Sequence, residues 1–156
     1  MEAQGLFFEK ESKFVRIREL EQQDLSQLAL LYEQFWGDQS ELHKMEQELE
    51  VIKKEKKHII LVAEREGIVI ASVMGILCRD LYGDCRPFLV VENMIVDRSN
   101  RKSGIGRMLL AELEVRAKAL NCSQIILVTE QNRADACGFY EAYGFQKNNK
   151  GYKKKL

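Results

Sequence analysis

The stretch Arg101-Lys102-Ser103-Gly104-Ile105-Gly106-Arg107 constrains this chain more than any other. It joins an apolar run, Phe88 to Val96, that reads as a strand, to an amphipathic helix that starts near Gly104. Glycines where a helix opens let the backbone approach a ligand with no Cβ in the way. The unpaired N–H groups of the first turn and the positive end of the helix dipole face whatever lies there. Arg101, Lys102 and Arg107 add full positive charges. The segment therefore predicts a strand–loop–helix unit that holds a phosphate-bearing ligand, a pyrophosphate in particular.

The rest of the chain supplies elements of both kinds. Phe14, Val15 and Ile17 alternate with Arg16 and Arg18 and predict a first strand, preceded by a loose arm over residues 1–13. Residues 22–36 place Leu25, Leu28, Leu31, Tyr32 and Phe35 on one helical stripe. Ser40 is the expected N-cap of a second, highly charged helix running to about Lys56, with Leu42, Met45, Leu49 and Ile52 as its apolar face. Residues 59–64 and 68–77 read as strands joined by a Glu66-Gly67 turn. A helix over 104–120 turns Ile105, Leu109, Leu113 and Ala117 inward. Residues 123–129 read as a short, buried parallel strand. Residues 133–143 read as a short helix ended by Gly144, and Phe145 and Tyr152 are assigned to closing strands. At 156 residues this is one mixed α/β domain over 14–156, with a mixed central sheet of six to seven strands and four helices.

Two further segments match the loop in kind. Phe139-Tyr140-Glu141-Ala142-Tyr143-Gly144-Phe145 resembles the late Phe-Tyr-x-x-x-Gly-Phe signature of the GNAT superfamily of acetyl-CoA-dependent N-acetyltransferases. Residues 101–106 resemble that family's Arg-x-x-Gly-x-Gly motif, and Glu92 to Asp97 is similar to the strand before it. Together the motifs cover residues 88–145. Arg133, Ala136, Phe139, Tyr140 and a terminal Tyr-x-Lys-x-Leu look like a subgroup that includes small-amine and aminoalkylphosphonate acetyltransferases. The chain departs from the family pattern in three places. Arg98-Ser99-Asn100 stands where Pro-x-Tyr is frequent, Lys102 where glycine is frequent, and Arg133, beside Asn132, where asparagine is frequent.

The resemblance implies acetyl-CoA as co-substrate, no metal, and transfer of an acetyl group to a primary amine by direct attack on the thioester. It implies that the backbone of Met94, Ile95 and Val96 binds the pantetheine arm. Arg101, Lys102, Ser103, Gly104, Ile105, Gly106 and Arg107 would bind the pyrophosphate, and Asn132 and Arg133 would also face the cofactor. Arg133 would touch cofactor phosphate or only cap its helix. Glu92 is the expected general base. Strand alternation puts it on one face with Met94 and Val96, where a carboxylate is costly unless solvated or paired, so it marks a cleft. The plainer reading is an exposed strand residue or a local ion pair. Tyr140 is the expected general acid, since its phenol donates at neutral pH; Tyr143 is the alternative. Trp36 stands where the family often builds its acceptor pocket, although a lone tryptophan is also ordinary core.

Composition narrows the rest. With 24 basic and 24 acidic side chains, the charge balance points neither to nucleic acid nor to a membrane surface. The basic tail, Lys150 and Lys153 to Lys155, reads as solvated. Cys78, Cys85, Cys122 and Cys137 form no Cys-x-x-Cys pair and no metal-like spacing with His43 and His58, so reduced thiols and a cytoplasmic location are expected. No run approaches the ~20 apolar residues of a membrane span. Small amines, amino sugars, aminophosphonates and protein amino groups are all compatible as acceptors, and a homodimer is compatible as an assembly. Two rivals stand beside this reading. A dinucleotide fold is disfavoured because Leu109 replaces its third glycine and the loop is long. A non-catalytic acyl-CoA sensor or interaction module on the same fold is the alternative function.

Overall fold

The hairpin at Glu66-Gly67 sets the register of the sheet. In the computed structural model, which describes residues 14–156, both turn residues are left-handed, Glu66 at φ 52° and Gly67 at φ 77°. That geometry matches the twist of two paired strands. Strands β2 (His58–Arg65) and β3 (Ile68–Cys78) leave it antiparallel, with Arg65 opposite Ile68. Strand β1 (Arg16–Glu19) pairs antiparallel with β2, and β4 (Phe88–Val96) antiparallel with β3. Strand β5 (Ile125–Leu127) adds parallel to β4, which gives the order β1-β2-β3-β4-β5. The arm expected over residues 1–13 lies outside the described residues.

Helices cover both faces. Helix α1 (Leu25–Trp36) buries Leu31 against Val62, Val69 and Ile95. Helix α2 (Leu42–Glu55) closes over α1 through Leu49, which clusters with Leu25 and Leu28. On the other face, α3 (Ile105–Ala119) buries Ile105, Leu109, Leu113 and Ala117, as their spacing predicts, together with Leu110. Leu109 and Leu113 are fully buried, and truncating such a leucine to alanine costs about 2–5 kcal/mol. Gly75 makes the contact close. A Cβ there would sit 2.8 Å from a Leu113 methyl. Helix α4 (Ala134–Tyr143) follows β5 and packs Phe139, Tyr140 and Tyr143 onto the same cluster.

Four expectations are corrected. The described residues form five strands, not six or seven, because the chain after Gly144 forms no strand. Phe145 packs on the core, but Tyr152 is exposed, and residues 146–151 offer almost nothing apolar to repay ordering the backbone. β5 is three residues long and an edge strand, with Ile126 and Val128 exposed, so it is parallel but not buried. The first strand begins at Arg16, and Phe14 is exposed. Finally, α2 has Glu41 at its N-cap with no side-chain cap bond, and Ser40 stands one residue earlier.

Candidate active site

Because β5 is short, β4 outruns it. The parallel ladder joins Leu89 to Ile125, Val90 to Ile126 and Val91 to Leu127, then stops. From Glu92 to Val96 that edge of β4 has no strand beside it among the described residues. An extended ligand can pair along such an edge as an added strand would.

The same stretch contains a bulge. Met74 lies opposite Glu92 and Ser72 opposite Ile95, so β4 spends one residue more than β3. Asn93 absorbs it at φ 50°, a conformation that asparagine tolerates better than most residues. The phase of alternation changes there. Leu89, Val91, Met94 and Val96 pack with the α3 cluster, whereas Ile95 packs with α1. Glu92, paired with Met74, belongs to the α1 side and is exposed. The expectation that Glu92 shares a face with Met94 and Val96 is therefore wrong. Simple alternation cannot anticipate an inserted residue.

Beyond β4, Asp97 organises the loop. Its carboxylate accepts from Ser99 N at 3.1 Å, Asn100 Nδ2 at 2.8 Å and Gln34 Nε2 at 2.9 Å, and also from the Ser99 hydroxyl. Those donors, Ser99 foremost, hold the Asp97 carboxyl down at about 2. Gln34 also accepts from Arg98 N at 3.0 Å, which ties the end of α1 to the loop. The Asp-x-Ser-Asn pattern is a turn signal in sequence, but its partner Gln34 lies 63 residues away and carries no local mark.

The loop then delivers a helix start. Gly104 caps α3 at φ 85°, and the first closed bond runs from Met108 N to Gly104 O. The N–H groups of Ile105, Gly106 and Arg107 thus have no partner inside the helix, and no acidic residue sits in the first turn. Arg101, Lys102 and Ser103 are exposed, and Lys102 is itself left-handed at φ 60°, which explains why a glycine would be at home there. Two side chains turn elsewhere. Arg101 Nε donates to Val96 O at 3.1 Å, folding back on the strand end. Arg107 donates to Ala142 O at 3.2 Å and lies 5.4 Å from the Tyr143 ring, joining α3 to α4. Its contribution at the helix start is its backbone N–H. Gly106 serves packing as well: a Cβ there would meet Phe139 Cζ at 3.1 Å and Met94 Cε at 3.2 Å.

Across the gap stands α4. Tyr140 packs edge-on against Phe139 and Phe145, at 5.2 and 5.8 Å between ring centres. Burial pushes its phenol up, Arg133 opposes this, and Glu92 adds to it, so the hydroxyl keeps its proton at neutral pH. Tyr143 instead donates to Glu114 Oε2 at 2.9 Å and is pushed up to about 12 by burial and that carboxylate. Arg133 makes no side-chain cap; its guanidinium lies 4.6 Å from the centre of the Phe35 ring. A cleft of about 530 Å³ lies here, lined by Gln34, Phe35, Arg98, Arg101, Asn132 and Arg133 among others. The loop and the start of α4, remote in sequence, meet in it. Thr129, just past β5, has a buried hydroxyl without a hydrogen-bond partner among the described residues. The N–H groups left free by the helix, the basic cleft and the bare strand edge suit a long ligand with phosphates at one end.

A second hollow, of about 270 Å³, opens at the α1–α2 turn and is lined by Tyr32, Trp36, Asp38, Gln39, Ser40 and Asn93. Trp36 is 49 % exposed and is no core residue. It stands edge-on to Tyr32 and Phe35 at 5.2 and 4.7 Å. Asn93, the bulge residue, links this hollow to β4. Apart from Trp36, sequence reasoning singles out none of these residues as functional, because their meeting depends on the bulge and on the left-handed Gly37 that ends α1.

The comparisons with known proteins agree with this geometry. The model of the acetyltransferase (GNAT) family matches residues 19–145. A transcriptional regulator from Bacillus halodurans superposes with a TM-score of 0.79 at 26 % identity, covering 92 % of this chain and 100 % of that one. Glucosamine-6-phosphate N-acetyltransferase from Arabidopsis thaliana gives 0.82 at 21 % identity, over 92 % and 99 % of the two chains. An aminoglycoside N-acetyltransferase solved in complex with CoA gives 0.78 at 18 % identity, over 92 % and 95 %. The chain belongs to the GNAT acetyltransferase family. The last two likenesses speak for the fold.

Proposed function

We propose that this chain is an acetyl-CoA-dependent N-acetyltransferase that acts on a primary amine, of a small molecule or a protein, by direct attack on the thioester. The observation that carries the reading is the edge of β4, bare among the described residues, running into a helix start with three N–H groups that have no partner inside the helix. Acetyl-CoA supplies the activated acetyl group. The N–H groups of Ile105, Gly106 and Arg107, with Lys102, Ser103 and Gly104, hold its pyrophosphate, and Arg101, Asn132 and Arg133 line the approach. The backbone of Met94, Ile95 and Val96 pairs with the pantetheine arm.

An alkylamine has a pKa near ~10.4 and reaches the site mostly as ammonium. Glu92, exposed beside the bulge, accepts its proton directly or through one water. Tyr140 keeps its phenolic proton and donates it to the departing sulfur. The test is thiol release from acetyl-CoA with a panel of amines, alongside calorimetry with CoA and with NAD. Thiol release that requires both protein and amine is expected. CoA binding with no release for any amine would instead favour an acyl-CoA sensor, and tight NAD binding without CoA binding would sink the reading.

A further inference from the structure

Two openings flank the end of α1, and their net charges differ in sign. The cleft at the loop carries Arg98, Arg101 and Arg133 against one carboxylate, Asp135, and is basic on balance. The hollow at the α1–α2 turn carries Asp38, the only charged side chain in its lining among the described residues. Nearby carboxylates are engaged: Glu41 pairs with Lys44 at 2.6 Å, and Glu33 accepts from Gln39 at 3.3 Å. Asp38 forms no ion pair with a described residue. Beside it stands Trp36, whose ring is held by Tyr32 and Phe35 while about half of its surface stays open. An unpaired carboxylate next to an open indole is a receptor for an ammonium group, which gains both from the charge and from the ring quadrupole. Asn93 lines this hollow and directly follows Glu92. The hollow therefore adjoins the residue proposed to accept the amine's proton.

We infer that the acceptor is a small di- or polyamine whose second ammonium group binds between Asp38 and Trp36. The inference rests on the proposed N-acetyltransferase reading. It disfavours acceptors with a phosphate, phosphonate or carboxylate at the far end, because that end would face Asp38 with no cation in the lining.

Three primary amines of similar length separate the cases: 1,5-diaminopentane, 1-aminohexane and 6-aminohexanoate. After the twofold statistical factor for two equivalent amines is removed, kcat/KM for the diamine should exceed that for aminohexane by about tenfold. That is the scale of one exposed ion pair plus one cation–π contact. The aminohexanoate should be the poorest of the three. In Asp38→Asn the diamine preference should fall to within about twofold of aminohexane, mostly through KM. Equal kcat/KM for diamine and aminohexane, a preference for the aminohexanoate, or a preference retained in Asp38→Asn would overturn the inference while leaving acetyl transfer intact. If no amine is acetylated, calorimetry of 1,5-diaminopentane with the CoA complex decides separately. Binding that weakens about fivefold or more in Asp38→Asn upholds the subsite, and no binding overturns it.

Discussion

The basic cleft beside the loop and the acidic hollow beside the α1–α2 turn share the end of α1 yet present opposite chemistry. On the loop side, positive charge comes from three arginines, which outweigh Asp135, and from a helix start whose first N–H groups have no partner inside the helix. On the other side, one carboxylate and an open indole offer a place for a cation. The bulge at Asn93 is what turns the side chains of β4 from one layer to the other. Before it, Glu92 faces the α1 layer; after it, Met94 and Val96 face the α3 layer. Without the extra residue these side chains would share a face, and the carboxylate would stand among buried apolar groups. The difference teaches that a single register shift can put a carboxylate and apolar side chains of the same strand on opposite faces.

The comparison is broken most severely by Tyr140→Phe, which removes one hydroxyl from the α4 wall and keeps the ring packed. Turnover should fall by about 10²-fold, with CoA affinity unchanged. Single-turnover kinetics that match wild type would remove Tyr140 as the proton donor. Glu92→Gln probes the opposite face. We expect a loss of about tenfold near neutral pH that shrinks as pH rises toward the amine pKa, where free amine needs no base. A pH–rate profile parallel to wild type would leave solvent as the proton acceptor.

Asn93→Val tests the hinge between the two sides. A β-branched residue at φ 50° should destabilise the fold by about 1–2 kcal/mol, read as a shift in the urea midpoint at constant slope. Stability equal to wild type would mean that the strand can shed the bulge. Asp97→Asn has the smallest expected effect. The Asp97 carboxyl lies at about 2 in the fold, below the ordinary aspartate value of 3.8, so its contribution is present above pH 4 and is lost as pH falls through 2. Allowing for its partial exposure, the substitution should cost about 1 kcal/mol at pH 7 and only a small part of that near pH 2. A stability gap that stays constant between pH 7 and pH 2 would show that the Asp97 charge contributes nothing.

Much of the fold is readable because its signals are local. The Glu66-Gly67 turn, the inward stripe of α3 and the Gly144 stop depend on residues a few positions apart, and each stands where the pattern puts it. The glycine-opened helix start is legible for the same reason. The candidate site is legible only in part. Arg101, Asn132 and Arg133 do meet in one cleft, but Arg107 points its guanidinium at Ala142 and Tyr143, and Arg133 lies over Phe35. Which partner a long flexible side chain finds depends on neighbours that sequence spacing does not reveal.

The sequence by itself determined the strand–loop–helix unit, the positive charge at its turn, and the family signature around Tyr140. All three rest on backbone preferences and side-chain types within short windows. Only the tertiary structure decided that β5 stops at Leu127 and leaves β4 bare, that Gln34 anchors Asp97, and that Trp36, Asp38 and Asn93 enclose a hollow of their own. Those outcomes follow from strand length, register and packing between segments 36 to 63 residues apart. There the winning arrangement is set by competition among whole surfaces, not by the preference of any one residue.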